Sequence, residues 1–462
     1  MDETYEEFTN RIMNMRRFGK KKGIEVSTEL LDAFNRPEKG MRVIHIAGTN
    51  GKGSTAVLIA DMLMKMGFKV GLFTSPHLED FNERIQVGFG DTFTRISHEE
   101  VLSIGSEILD KDIESEPTMF DICFIMAILK FKREQCDYVI LETGLGGKYD
   151  STTAISCISK VCVITSIALE HTEYLGNTVV EIALNKAGII KQGSKVVLSD
   201  IDSDALTVIA EECRKKEVRS SDICCINDCN FDKYTYLKLL LGYQKKNAKT
   251  AILAIQSLIE SDKDLFITKY MEYCKSGEEH CGSDCAKCAT PEKICELSFD
   301  EWVEICINRA IHAFNHAGRL EKIADNVILD GAHNVEAFTA LYEFLESEYE
   351  GYNIRFIVGV MSDKNYMEEL KIISPVAIEI MCADIDDERA KPGEELASEL
   401  TKEGIKATYL GDEEATSQFV FDLIKKNNAK SSLELYNNLY VICGSLYFVG
   451  NVKRLLWRLQ QE

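Results

Sequence analysis

Six prolines in 462 residues leave this chain few enforced breaks, because proline is the residue that most sharply interrupts helices and central strands. Positive charge is also short. Lys+Arg total 53 against 75 Asp+Glu, a formal net charge of -22. Nucleic-acid affinity rests on clustered cations, so this balance argues against a nucleic-acid partner. Small phosphate ligands need only a local site and stay open. No apolar run approaches the roughly 18 residues of a membrane span. The start, Met1 to Asn10, is acidic and lacks the basic flank and apolar stretch of a secretion signal. No internal repeat of about 20 to 50 residues is evident.

What is present is the composition of a globular protein, 45% hydrophobic and 28% charged. At roughly 150 residues per domain the length implies two or three domains, or one long α/β domain and a smaller one. The 16 cysteines are scattered, mostly inside apolar runs (Cys123, Cys162, Cys443). Without a secretion signal they read as reduced thiols of a cytoplasmic protein.

Short β-branched runs alternate with helical ones in the first half. Strands are expected at Arg42 to Ala47, Lys69 to Thr74, Asp137 to Glu142, Lys160 to Ile167 and Ser194 to Ser199, with a helix from about Ser54 to Met66. Such alternation implies a parallel sheet covered on both faces. Thr178 to Glu181 is a T-x-x-E capping box that starts another helix. The pattern degrades after about Asp262 and resumes at Asn326. From there strands are expected at Asn326 to Asp330, Ile354 to Val360, Ala377 to Ala383 and Leu439 to Cys443, and helices at Val335 to Ser347 and Leu446 to Leu459. This is a second doubly wound unit. The expected fold is α/β, a parallel-sheet domain over 1–317, P-loop-containing by its glycine-rich turn at 48–55, followed by a smaller Rossmann-like α/β domain over 318–462. A Cys-containing insertion covers about 262–297.

Gly48-Thr49-Asn50-Gly51-Lys52-Gly53-Ser54-Thr55 lies between a strand and a helix. Its glycines let successive N–H groups point at one anion. The helix N-terminus adds partial positive charge and Lys52 a full one. Ser54 or Thr55 can offer a hydroxyl to phosphate or Mg²⁺. The spacing departs from G-x-x-x-x-G-K-[ST]: Ile46 stands at the first glycine, and Gly53 separates Lys52 from Ser54. A plain glycine-rich turn is the competing reading, but a lysine inside such a turn has no packing role.

Three more segments end strands with groups suited to Mg²⁺: Ser75 in TSPH, Glu142 in LETGLGG and His171 in EHT. In an open parallel sheet ligands gather at the carboxyl ends of strands. Each residue alone also has a bland reading, Glu142 as a turn cap and His171 as a buried histidine; histidine is a less usual magnesium ligand. Lys186 sits mid-helix among apolar neighbours. Burial there would lower its pKa, and a neutral amine can take up CO₂ as a carbamate. The alternative is a lysine snorkelling at the helix surface.

At this point the residues resemble a family, folylpolyglutamate synthase / dihydrofolate synthase, a branch of the Mur-ligase-like ATP-dependent amide ligases. The resemblance rests on GTNGKGS (Gly48 to Ser54), TSPHL (Thr74 to Leu78), NERI (Asn82 to Ile85), Thr118 to Asp121, ETGLGGKYDST (Glu142 to Thr152) and ITSIALEHTEYLGNT (Ile164 to Thr178). It continues through NKAGIIK (Asn185 to Lys191), GYQKKNA (Gly242 to Ala248), GRLE (Gly318 to Glu321), LDGAHN (Leu329 to Asn334), Ser362 to Lys364 and GSLYFVGNVKRLL (Gly444 to Leu456).

The resemblance implies an ATP-dependent ligase that adds L-glutamate to a folate or to dihydropteroate through an acyl phosphate. Thr49, Asn50, Gly51, Lys52, Gly53 and Ser54 would hold the ATP phosphates. Two Mg²⁺ ions are implied, with Ser75, Glu142 and His171 as ligands and a carbamylated Lys186 bridging the second. Gln244 and Asn247 would contact adenine, Arg319 the γ-phosphate and Asp330 the ribose. His333 and Ser445 would lie on the glutamate side, with His333 positioning or deprotonating the amine. Arg84, Thr118, Phe120, Asp121, Tyr149, Asp150 and Ser151 would lie near the pterin and benzoyl part. Closure of the second domain on the first, and a monomer, are also expected. Lys148, Asn185 and Ala317 depart from the residues usual in the family, and a lysine cannot reproduce an arginine fork.

A Mur-type cell-wall ligase is the nearest alternative, but its extra preceding domain does not fit a phosphate loop that begins at Gly48. A GTP-dependent switch is a further one: Asn185-Lys186-Ala187-Gly188 mimics N-K-x-D, yet Gly188 replaces the base-reading Asp. Cys274, Cys281, Cys285, Cys288 and Cys295 contain one C-x-x-C and are open to zinc. No second C-x-x-C completes a usual site, which favours a surface insertion with free thiols.

Overall fold

The computed structural model describes residues 3–15, 24–276, 297–429 and 437–461. The chain divides into two compact units. The first comprises Met1–His77, Phe81–Leu240 and Gln244–Phe314; the second comprises Leu78–Asp80, Leu241–Tyr243 and Asn315–Glu462.

The first unit is built on eight strands: β1 (Val43–Ala47), β2 (Val70–Phe73), β3 (Ile85–Phe89), β4 (Thr92–Arg95), β5 (Tyr138–Glu142), β6 (Ser159–Ile164), β7 (Lys195–Leu198) and β8 (Ile223–Cys225). Their order is β4-β3-β2-β5-β1-β6-β7-β8. Six are parallel, and β3 and β4 add an antiparallel hairpin at one edge. β1 is buried at every position, as expected of a central parallel strand covered on both faces. Helix Lys52–Lys65 covers one face together with Gly242–Ser261 and Phe299–Ala313. Helix Met119–Arg133 covers the other. The helix expected from Ser54 therefore starts two residues earlier, inside the glycine loop.

The polar stretch after Asp262 was expected to lose regular structure. Residues Lys263–Ser276 instead form a helix. Phe266 is fully buried in the sheet-covering core, with Leu265, Tyr270 and Tyr273 packed beside it. Spacings of four and three put Phe266, Tyr270 and Tyr273 on one helical face, a signal hidden by the charged residues between them. Cys281, Cys285, Cys288 and Cys295 lie outside the described residues.

A hydrogen-bonded chain runs from the middle of this sheet to the loop after β5. His45 on β1 is fully buried, and its Nε2 lies 2.8 Å from Thr152 Oγ1. Thr152 Oγ1 donates to Asp150 Oδ1 at 2.5 Å. The hydroxyl has one proton, so His45 must donate and its Nε2 carries the hydrogen. Burial, with Lys191 nearby, pushes the His45 pKa down to about 3, so the ring stays neutral. Asp150 also accepts from the Gly144 and Leu145 N–H groups, both at 2.9 Å. The turn 144–152 is thus fixed from below.

The second unit holds six strands: β9 (Glu321–Ala324), β10 (Val327–Leu329), β11 (Asn353–Val358), β12 (Ala377–Ala383), β13 (Ala407–Gly411) and β14 (Asn438–Cys443), ordered β13-β12-β11-β14-β10-β9. All pairs are parallel except β9 with β10. The sequence reading missed β9 and β13. Both are short edge strands with partly exposed positions, so neither carries an apolar run. Glu369, on helix Tyr366–Ile373, is 3% exposed. Burial pushes its carboxyl up to about 7, only partly offset by Lys364.

Two predictions follow from these buried groups. A carboxyl raised on folding stabilises below its unfolded pKa and loses that contribution as pH rises through its folded value. Glu369→Gln should therefore gain stability on the wild type between about pH 4.5 and 7, by up to about 3 kcal/mol. Urea unfolding across pH checks this; parallel pH curves would contradict it. Thr152→Val removes the hydroxyl between His45 and Asp150 at constant shape and should cost about 1–3 kcal/mol. Thr152→Ser should recover most of that in the same assay.

Candidate active site

The phosphate loop leaves β1 and enters helix Lys52–Lys65. Gly51 occupies its N-cap at φ +83°, and no side chain caps the helix. Gly51 has no side chain to cap the first N–H groups of that helix, and a helix N-terminus entered through a glycine turn suits a phosphate. Two glycines are required by space as well as by dihedral. A Cβ on Gly48 (φ +157°) would stand 1.9 Å from Thr165 Oγ1, and one on Gly51 2.3 Å from Asn247 Oδ1. The loop is tied to the segment after β6: Thr49 N donates to Ser166 O at 2.8 Å, Asn50 N to Ser166 Oγ at 2.9 Å, and Thr165 Oγ1 to Asn50 O at 2.7 Å. Lys52 Nζ folds back over the loop onto the Gly48 and Thr49 carbonyls at 2.9 and 3.0 Å. Thr55 Oγ1 and Asn247 Nδ2 are buried polar atoms with no hydrogen-bond partner among the described residues. Buried polar groups are rarely left unpaired, so both fit a loop that completes its bonding with a ligand.

Beside this loop, the C-terminal ends of β2 and β5 bring Ser75 and Glu142 together: Ser75 N donates to Glu142 Oε2 at 2.9 Å. Glu142 is 3% exposed. A buried carboxylate held next to a serine, at the mouth of a phosphate loop, offers the hard oxygen ligands that Mg²⁺ prefers. His171 sits after β6 in the left-handed region at φ 47°. It is placed against Glu170, with Nε2 3.2 Å from Glu170 Oε1. Lys186, at the end of helix Val179–Lys186, is 1% exposed and does not snorkel. Among the described residues no group of three His, Cys, Asp or Glu is close enough to hold a metal by itself. Any ion here would need phosphate or water oxygens to complete its shell.

Glu170 is the residue that sequence reasoning passed over. Burial alone would raise its carboxyl. The hydrogen bond from His171 and the charges of Lys52 and Lys186 outweigh that and hold it down at about 2. It therefore stays ionised between the loop lysine and the helix lysine. Its adjacency to His171 was visible in the sequence; its distance from two lysines far along the chain was not.

The loop after β5 gathers the residues expected near the folate. Asp121 accepts from Ser151 Oγ at 2.7 Å, Ser27 Oγ at 2.5 Å, and the Thr118 N–H and hydroxyl at 3.0 and 2.6 Å. Its carboxylate is thus a helix cap and a strap for the loop. Asp150 is likewise saturated by the turn it closes. The outward-facing group is Tyr149, 55% exposed, with Lys148 Nζ 5.1 Å from its ring centre. Phe120 packs under Gly144, where a Cβ would meet the ring at 2.6 Å. Asn185 suits its position: its Oδ1 accepts from Gly147 N at 3.1 Å, and its carbonyl accepts from Lys148 N at 2.8 Å. This joins the loop to the helix that carries Lys186.

In the second unit, Asp330 ends β10 and is buried. It accepts from Leu320 N (2.8 Å), Ala332 N (2.9 Å) and Tyr243 Oη (2.5 Å). Both oxygens are engaged, and burial raises its carboxyl. The bond to Leu320, itself at φ 48°, fixes the turn that carries Arg319, whose Nη1 donates to Gly331 O at 3.2 Å. His333 Nδ1 lies 2.7 Å from Gly331 O. A carbonyl only accepts, so Nδ1 carries a proton, and in the neutral form of the ring the lone pair is on Nε2. Ser445 Oγ accepts from Tyr447 N at 3.2 Å at the start of the last helix.

Comparison with known proteins agrees with this arrangement. Residues 46–227 match the Mur ligase middle domain, and residues 318–431 match the Mur ligase, glutamate ligase domain. The dihydrofolate synthase/folylpolyglutamate synthase of Bacillus subtilis (strain 168) is 31% identical over 99% of this chain and 100% of its own length. Among solved structures, E. coli FolC in complex with DHPP and ADP superposes with a TM-score of 0.74 at 21% identity, covering 99% of this chain and 98% of that one. The Yersinia pestis bifunctional folylpolyglutamate synthase/dihydrofolate synthase complexed with AMPPNP and Mn ion gives 0.72 at 22%, covering 98% of each chain. These structures share the fold. With the glycine loop, the paired Ser75 and Glu142 and full-length similarity to the Bacillus enzyme, the chain belongs to the dihydrofolate synthase/folylpolyglutamate synthase family of Mur-type ligases.

Proposed function

We propose that this protein is an ATP-dependent ligase that joins L-glutamate to the carboxyl group of dihydropteroate, of a reduced folate, or of both. The observation that carries this reading is the phosphate loop with its uncapped helix and unsatisfied Thr55 hydroxyl, set beside the Glu142–Ser75 pair. The first unit takes nucleotide and acid, and the second, matched by a glutamate ligase domain, takes the amino acid.

A carboxylate is a poor acylating agent, so its oxygen first attacks the γ-phosphorus of ATP and ADP leaves. The glutamate amine then adds to the acyl carbon, and phosphate departs with the former carboxylate oxygen. The loop N–H groups and Lys52 bind the phosphates and offset the charge that spreads over the transferring oxygens. Ser75, Glu142 and His171 are assigned to a divalent cation, which when bound supplies further neutralisation of phosphate charge. Asn247 Nδ2 is offered to the nucleotide from beside Gly51. Arg319 is assigned to phosphate charge and Ser445 to the incoming glutamate. His333 Nε2 accepts a proton from the amine or aligns it.

Lys186, buried near the ionised Glu170, is assigned the carbamate. Its ε-amine, once deprotonated, would add to CO₂ with loss of a further proton, and the carbamate oxygens would be available to a second cation. The described cysteines are all free, which supports a reducing, cytoplasmic setting.

The test is an ADP-release assay with ATP and glutamate, run in parallel with dihydropteroate and with tetrahydrofolate. Glutamate-dependent release with either acid supports the reading; release with neither overturns it. Lys186→Ala should lose at least 100-fold in kcat and regain part of it when a short carboxylic acid is added. A fully active variant would remove the carbamate from the account.

A further inference from the structure

His45 is fully buried on β1, where every other residue is apolar: Val43, Ile44, Ile46 and Ala47. Its Nε2–H goes to Thr152 Oγ1 at 2.8 Å, and its Nδ1 has no hydrogen-bond partner among the described residues. A buried nitrogen left unpaired costs about 1–3 kcal/mol. An aliphatic side chain, as at the other four positions, would carry no such cost. Packing alone therefore does not account for a histidine at the centre of this strand.

What the ring does is direct one proton. Thr152 Oγ1 accepts the His45 N–H, so its own single hydrogen is left for Asp150 Oδ1, 2.5 Å away. The same carboxylate oxygen takes the Thr152 N–H at 3.1 Å, and Oδ2 takes the N–H groups of Gly144 and Leu145. His45, Thr152 and Asp150 are all buried, and hydrogen bonds in a buried chain strengthen one another. The carboxylate is thus oriented from the strand side and closes the turn on its other side. Between the closed ends stand Lys148 and the exposed ring of Tyr149. The turn follows Glu142 at the end of β5, the neighbour of β1, whose own end is the phosphate loop. Ligands of parallel sheets gather at these strand ends.

We infer that His45 is a positioning residue for acid binding: through Thr152 and Asp150 it holds the turn that presents Lys148 and Tyr149 to the acid substrate. This rests on the ligase reading above. His45 lies beneath the turn and acts on the acid only through these two residues. Its unpaired Nδ1 is the cost of a ring that donates at Nε2.

The test compares His45→Leu, His45→Asn and His45→Gln by equilibrium binding of dihydropteroate and of tetrahydrofolate, with Mg²⁺ and a non-hydrolysable ATP analogue present. Thermal midpoints and affinity for the analogue serve as folding controls. Glutamine places an amide N–H where Nε2 stands; asparagine places one near Nδ1, short of Thr152; leucine has none. The expected result is acid binding weakened about tenfold in His45→Leu and His45→Asn and near wild type in His45→Gln, with analogue affinity unchanged in all three. Thr152→Val should lose at least as much, and adding His45→Leu to it should change acid affinity no further. In turnover the loss should appear in KM for the acid and not in KM for ATP. Equal binding in His45→Leu and wild type, equal loss in His45→Gln and His45→Leu, additive losses in the double variant, a matching loss of analogue affinity, or no acid binding by the wild type would each overturn the inference. The expected pattern of acid binding without glutamate-dependent ADP release would instead sink the ligase reading and leave the positioning role standing.

Discussion

The constraint on which this molecule turns is backbone space at the end of β1. The phosphate loop must bring its N–H groups to one point, and it does so by passing within side-chain distance of Thr165 and Asn247. A methyl group at Gly48 would collide with Thr165, and one at Gly51 with Asn247. Everything placed around the loop depends on that closeness. The segment after β6 braces it through Ser166 and Thr165, and the same segment carries Glu170 and His171 into the neighbourhood of Lys52. The parallel order of the sheet brings the ends of β2 and β5 to the same edge. A residue pair as distant in sequence as Ser75 and Glu142 is therefore bonded beside the loop.

The acidic side chains divide by what surrounds them. Asp121, Asp150 and Asp330 are saturated by internal donors and act as straps: one on a helix start, one on the loop after β5, one on the turn before Arg319. Glu142 accepts a backbone N–H, and Glu170 is kept ionised by the His171 hydrogen bond and by lysines. An acid closed by its own chain shapes the site, and an acid held among cations tunes its charge. For Asp121 and Asp150 this makes the contribution to substrate binding one of scaffolding, exerted through Ser151, Tyr149 and the turn glycines.

Much of this was legible in the residues. β1, β2 and β5 were recognisable because strands buried on both faces read as continuous apolar runs. The Thr178–Glu181 capping box forms as read, with Thr178 Oγ1 accepting from Glu181 N. What escaped had physical reasons. β9 and β13 are edge strands without an apolar run, and the β3–β4 hairpin carries exposed polar positions on its outer strand. The helix Lys263–Ser276 hides its buried face among charged residues. At the site, motif spacing pointed to Ser75, Glu142, His171 and Lys186 one at a time. It could not show that Glu142 meets Ser75, that Glu170 sits between two lysines, or that Arg84 is buried against His77. Those are products of the fold; Ser75 and Glu142 in particular meet because β2 and β5 are neighbours in the sheet.

The account's central claim is that the loop serves to activate a carboxylate by phosphorylation. Its most direct test is oxygen transfer. Dihydropteroate or tetrahydrofolate labelled with ¹⁸O in the reacting carboxyl group is turned over with ATP and glutamate, and the released inorganic phosphate is analysed by mass spectrometry. The account predicts one labelled oxygen in each phosphate released. Phosphate carrying no label, formed while the amide product accumulates, would contradict it.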